Sequence, residues 1–124
     1  MLNVNPAHGT PPPAHDPWLA RFDGHVMAEL ANPALDNQLL ATRMRISERS
    51  LHRKLRSRSG MTPAQYVRQL RMRRAAQLLR AGSYFTVKET AAAVGYQSTS
   101  YFIEQYTATF GCTPLAVLQQ EGHR

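Results

Sequence analysis

The sequence predicts an all-α fold of about seven helices. Apolar residues recur at spacings of three and four, and no alternating strand pattern occurs anywhere. Helix-opening and helix-closing residues punctuate the chain at short intervals. One segment is also written twice, 51 residues apart. Ser47-Glu48-Arg49-Ser50-Leu51 leads to Gly60-Met61-Thr62-Pro63, and Ser98-Thr99-Ser100-Tyr101-Phe102 leads to Gly111-Cys112-Thr113-Pro114. Each copy opens on serine, carries a large apolar residue four positions on (Leu51, Phe102) and closes on Gly-X-Thr-Pro. A short run with a small alanine (Ala41, Ala91) precedes each. A repeated pattern outweighs a single motif, because two matched coincidences are far rarer than one. A helix, a tight turn and a second helix with one buried face would produce it.

Residues 1–15 are rich in Pro, Asn, His and Gly without order, and read as a flexible tail. Asp16 before Pro17 opens the first helix, with an acceptor at the N-cap and proline in the first turn. Trp18, Leu19, Phe22, Val26, Met27 and Leu30 follow at helical spacing, and Asn32-Pro33 stops it. Asp36 opens a second helix over Leu39, Leu40 and Ala41, with a turn near Met44-Arg45. Ser47 caps the third helix, which turns Leu51 and Leu55 inward and ends at Ser59-Gly60. Thr62-Pro63 starts a long helix over 63–80, with Tyr66, Val67, Leu70, Ala75, Leu78 and Leu79 apolar. At about 1.5 Å per residue that rod is roughly 27 Å long. Ala81-Gly82-Ser83 ends it, and Tyr84 and Phe85 read as core or loop anchors. Thr86 caps a short helix over Val87–Val94, Gly95-Tyr96 forms its turn, and Ser98 caps a helix striped by Phe102, Tyr106 and Phe110. Thr113-Pro114 opens a last helix with Leu115, Val117 and Leu118. The division is a tail (1–15), a first helix-turn-helix subdomain (16–62), a linker helix (63–80) and a second subdomain (81–124). Leu39, Leu40, Leu51, Leu55, Leu70, Phe102, Tyr106 and Phe110 form the expected core, with Trp18 beside them. Cys112 reads as a small buried or half-buried residue.

The net charge of +7 is concentrated. Residues 37–80 hold twelve Lys or Arg against Glu48 alone, whereas residues 1–36 and 81–124 are slightly acidic. Such a segment suits a polyanion, although a solvated basic surface would look the same by charge alone. There is no apolar run of 18 residues, so no membrane span is expected. Residues 1–10 lack the basic start and apolar core of a secretory signal. The lone cysteine, Cys112, cannot form an internal disulfide, and a reducing cytoplasm fits it best. The five histidines show no metal-ligand spacing, so neither metal nor cofactor is expected. No paired carboxylates and no activated cysteine support an enzyme.

Together these residues resemble the DNA-binding domain of the AraC/XylS family of bacterial transcription regulators. The resemblance spans about Trp18 to Leu118. It is carried by Gly95-Tyr96-Gln97-Ser98, Tyr101-Phe102, Tyr106, Phe110-Gly111 and Thr113-Pro114, and by Ser47 to Leu55 with Gly60 to Tyr66. It implies two helix-turn-helix units joined by the 63–80 helix, bound to adjacent major grooves on one face of double-stranded DNA. Successive grooves lie about 34 Å apart. Carried over by position, Arg49, His52 and Arg53 would meet base edges, and a paired arginine–guanine contact is worth roughly 1–3 kcal/mol of discrimination. Arg43, Arg45, Lys54 and Arg56 would lie nearer the phosphates, with Ser47, Ser98 and Tyr101. Thr99, Ser100 and Glu104 would be the base contacts of the second unit.

The second unit departs from the family pattern. Glu104 and Thr107 stand where basic residues are usual, so the first unit is expected to dominate affinity. By the same resemblance the protein would be an activator that touches RNA polymerase, in the bacterial cytoplasm at the nucleoid. It would bind as a monomer to an asymmetric site unless it is part of a longer chain. A non-specific nucleic-acid packaging protein and a helical protein-interaction module are the competing classes. Defined arginine positions, rather than lysine spread over both units, argue against the first.

Overall fold

The computed structural model describes residues 16–81 and 86–122, the side chains of Glu121 and Gly122 excepted. The expected tail, the loop anchors Tyr84 and Phe85, the stop at Gly82-Ser83, and His8, His15 and His123 lie outside the described residues. Among the described residues there are seven α-helices and no strand: α1 (Pro17–Ala28), α2 (Asn37–Met44), α3 (Glu48–Ser59), α4 (Pro63–Arg80), α5 (Val87–Ala93), α6 (Thr99–Phe110) and α7 (Pro114–Gly122).

The capping residues expected from the sequence are those used. The Asp16 carboxylate accepts the Trp18 and Leu19 amides at 3.0 and 3.1 Å, and Asp36 accepts that of Leu39 at 2.9 Å. These bonds satisfy donors that the first turn of a helix leaves without intrahelical partners. The bond from Leu19, with Arg58 beside the carboxylate, holds Asp16 below the ordinary aspartate pKa, against the opposing effect of desolvation. Thr86 and Glu89 close a reciprocal capping box on α5, at 2.8 and 3.0 Å. Thr62 and Gln65 do the same on α4, at 3.0 and 3.2 Å.

The helices gather into two compact units. The first holds α1, α2, α3 and the start of α4, through Gln69. In it α2 packs on α1 and α3, around Leu19, Phe22, Val26, Leu40, Leu51 and Leu55, all at most 1% exposed. The Tyr66 hydroxyl donates to Asp23 at 2.6 Å, and the Tyr66 ring meets the edge of Phe22. The second unit holds residues 30–33, α4 from Leu70 onward, α5, α6 and α7. Here α5 packs on α6 and α7 around Val94, Phe102, Tyr106 and Leu79. Thr90, the buried polar residue of this core, bonds its hydroxyl to the Thr86 carbonyl at 2.9 Å.

Several sequence expectations are corrected. The first helix ends at Ala28 with Glu29 as its cap, before Asn32-Pro33. Met27 is exposed, while Leu30 lies beyond the helix and is buried in the second unit. Trp18 is only half-buried: it stacks on Phe22 and is covered by the Arg58 guanidinium, 5.5 Å from its ring centre, instead of by core side chains. Leu39 is half-buried, one residue and so about 100° around the helix from the buried Leu40. Phe110 is 40% exposed. Residues four apart drift by about 40°, so a stripe begun at Phe102 has rotated by about 80° when it reaches Phe110. Its ring still lies 4.6 Å from that of Tyr106. Cys112 is exposed, because it follows the left-handed Gly111 in the turn between α6 and α7.

Candidate nucleic-acid interface

The repeat in the sequence is a repeat in backbone geometry. In each unit a tight turn precedes a serine-capped helix. The Ile46 amide donates to the Ala41 carbonyl at 3.0 Å in the first, and the Tyr96 amide to the Ala91 carbonyl at 2.9 Å in the second. Ala41 and Ala91 are buried at 3% and 1%, and a larger side chain there would force the helices apart. Ser47 then accepts the Ser50 amide at 3.0 Å, and Ser98 accepts the Tyr101 amide at 3.1 Å. Both helices end on glycine at φ +77°, with the Gly60 and Gly111 amides bonded to the Arg56 and Thr107 carbonyls.

Both turns pass through a left-handed residue, but fill it differently. Arg45 adopts φ +61° and Gly95 adopts φ +88°, Arg45 being the non-glycine residue with positive φ among the described residues. Arginine bears a steric cost there that glycine does not. Arg45 and Gly95 are 50 residues apart whereas Ser47 and Ser98 are 51 apart, so the second turn carries one extra residue before its helix. The second turn is also braced by an arginine of α4. The Arg71 guanidinium donates to the Asn32 carbonyl at 3.0 Å and lies 5.8 Å from the Tyr96 ring centre. Burial pulls the Arg71 pKa down from its ordinary value, and the charge interaction with Tyr96 opposes that.

On α3, the residues at 49, 52, 53 and 56 share one face, by the spacing of three, four and seven. Arg49, His52, Arg53 and Arg56 are all exposed, opposite Leu51 and Leu55. None of the four has a side-chain hydrogen bond or ion pair among the described residues. Lys54 is half-buried, on the flank of this face, and Ser47 is exposed with its oxygen engaged as the cap. Arg45 is exposed in the turn. Arg43 is exposed but bonded to Glu29 at 3.0 Å, so any phosphate must compete with that carboxylate. Arg58, to which the sequence pattern assigns no role, is tied to Asp16 at 3.1 Å.

The α6 face is different in kind. Ser98, Ser100 and Glu104 are exposed, Thr99 is half-buried and Tyr101 is 51% exposed with its ring 5.9 Å from Tyr96. Thr107, the counterpart of Arg56, is half-buried, and its hydroxyl is covered with no partner among the described residues. Ile103, absent from the residues expected on this face, is 36% exposed between Ser100 and Glu104. The 51-residue offset that maps Leu51 onto Phe102 maps His52 onto Ile103, so the repeat itself carries the signal.

No group of His, Cys, Asp or Glu among the described residues could hold a metal ion. No helix of the described residues is long and apolar enough to cross a membrane.

A family model described as a helix-turn-helix domain matches residues 40–120. The HTH-type transcriptional activator RhaR of Cronobacter sakazakii is 38% identical over 100 residues, covering 78% of this chain and 35% of that protein. The chain thus spans about a third of the length of that curated relative. A DNA-binding transcriptional dual regulator from Escherichia coli K-12 has a similar structure, with TM-score 0.80, 27% identity, and 90% of this chain and 99% of that one covered. The DNA-binding domain of the global transcriptional factor AdpA, solved in complex with a target DNA, superposes with TM-score 0.74 at 27% identity, covering 82% of this chain and 90% of that one. With its two turns, two serine-capped helices and shared α4, the chain belongs to the AraC/XylS family and carries that family's double helix-turn-helix domain.

Proposed function

We propose that this protein regulates transcription by binding a specific double-stranded DNA sequence, with α3 and α6 entering adjacent major grooves. The observation that carries the reading is the α3 face, where three arginines and a histidine stand exposed, without partners among the described residues, on a rigidly capped helix. Such a face has fixed geometry and uncompensated charge, and a major groove is wide enough for one helix. Arg49, His52 and Arg53 read base edges. Arg56, Lys54 and Arg45 neutralise phosphates, together with Arg43 once it leaves Glu29. Ser47, Ser98 and Tyr101 add neutral contacts to the backbone, while Thr99, Ser100 and Glu104 read bases in the second groove. Residues 16–62 and 81–124 are the two reading subdomains, and 63–80 is the helix that joins them.

The likeness to RhaR, named as a transcriptional activator, supports activation as the sense of regulation, and RNA polymerase is the protein partner that an activator would touch. The domain works by binding and not by catalysis, without a cofactor, at the nucleoid of the cytoplasm, and binds as a monomer to an asymmetric site unless it is part of a longer chain.

The experiment is selection of bound sequences from a random duplex pool, followed by titration of the selected duplex at several salt concentrations. With roughly 5–8 phosphates neutralised, log K is expected to fall with log salt at a slope of about −5 to −7. A slope near zero would remove the phosphate roles given to the basic segment.

A further inference from the structure

We infer that Ile103 is a base-specificity residue of the second recognition helix, reading the C5-methyl group of a thymine. The inference rests on the DNA-binding reading above and extends it to a residue and a base.

Three observations carry it. The repeat places Ile103 at the position of His52, on the face that α6 shares with Ser100 and Glu104. The core side of α6 is occupied by Phe102 and Tyr106, at 0% and 1% exposure, and Ile103 lies on its flank with 36% of its surface open. Finally, Glu104 is the one charged residue of Thr99–Phe110, so this helix has no cation with which to hold phosphate or guanine. What its outer face offers is a hydroxyl, a branched aliphatic group and a carboxylate.

In the major groove those groups have defined counterparts. The thymine C5-methyl is the apolar feature that separates T·A from the other pairs, and a carboxylate accepts from cytosine N4. A β-branched side chain in a helix is nearly fixed at χ1, so the Ile103 methyl groups are presented without rotamer search. Single exposed aliphatic residues are common on protein surfaces. Ile103 is set apart by its register, one turn from Ser100 and next to Glu104, on the face equivalent to the arginine face of α3.

The test uses the chain and the duplex it selects from a random pool. Each thymine is replaced in turn by deoxyuridine, which deletes the C5-methyl and changes nothing else in the pairing edge. At one thymine, in the half-site whose footprint does not depend on Arg53, the replacement is expected to weaken binding about fourfold, the share of one buried methyl group. Ile103→Ala is expected to bind the thymine and deoxyuridine duplexes equally, with Ile103→Val keeping part of the difference. Because Ile103 is exposed, both variants are expected to melt with the parent chain. Persistence of the discrimination in Ile103→Ala, or its absence at every thymine in the parent, overturns the inference and leaves DNA binding standing. Failure to select any duplex overturns both.

Discussion

Gly95→Ala is expected to lose roughly 3–5 kcal/mol of stability, far more than alanine at either of the other left-handed glycines. Gly95 sits at φ +88°, where an L-residue meets its own backbone, and a Cβ there would lie 2.4 Å from the Leu30 carbonyl oxygen. It would also lie 2.8 Å from the Arg71 guanidinium. An arginine can swing aside, but the Leu30 carbonyl is main chain beside a side chain that is 4% exposed. Relief therefore requires moving backbone, and the turn before α6 moves with it. Gly60 and Gly111 have φ +77° and open space where a Cβ would go, so alanine there meets backbone strain of about 1–2 kcal/mol and no overlap. Urea melts of the three variants measure the difference. Equal losses at all three would show that the packing of Gly95 against Leu30 carries no weight.

Arg53→Ala is expected to weaken binding of the selected duplex by about tenfold or more, against about threefold for Ser100→Ala. The two residues lie on equivalent faces of α3 and α6, but an arginine makes charge-assisted, two-pronged contacts and a serine a neutral one. The surroundings sharpen the contrast. On the face of Arg53 stand the exposed Arg49 and Arg56, whereas on the face of Ser100 stand Ile103 and Glu104. Both positions are exposed, so neither variant should shift the melting point appreciably. Affinities measured side by side at one salt concentration decide it, and equal losses would contradict the unequal division of labour between the units.

Much of this architecture is legible in the chain itself, because capping and turn signals are local. Asp16, Asp36, Ser47, Thr86 and Ser98 cap the helices expected of them, since a short acceptor at the N-cap acts within three residues of itself. The exposed basic face of α3 is equally legible, for Leu51 and Leu55 orient the helix and the spacing does the rest. What escapes depends on contacts distant in sequence. Leu30 looks like the last turn of α1, yet it leaves that helix for the second unit. Met72 and Ala76 are buried on α4 with Ala75 and Leu79, on a second apolar stripe about half a turn from that of Tyr66, Val67 and Leu70, because that helix contributes to two units. Arg58 and Arg71 count as surface charge in the sequence, but one closes α1 through Asp16 and Trp18, and the other braces Asn32 and Tyr96. Ile103 is hidden for a different reason. An isoleucine in an apolar-rich helix reads as core until the register of its counterpart His52 is laid over it.

The most direct measurement is the ratio of this chain's affinities for its selected duplex and for random duplex of the same length, at one physiological salt concentration. Side chains fixed on capped helices should discriminate by about 10³-fold or more. A ratio near one would mean that charge alone holds the DNA, and that neither α3 nor α6 reads a base.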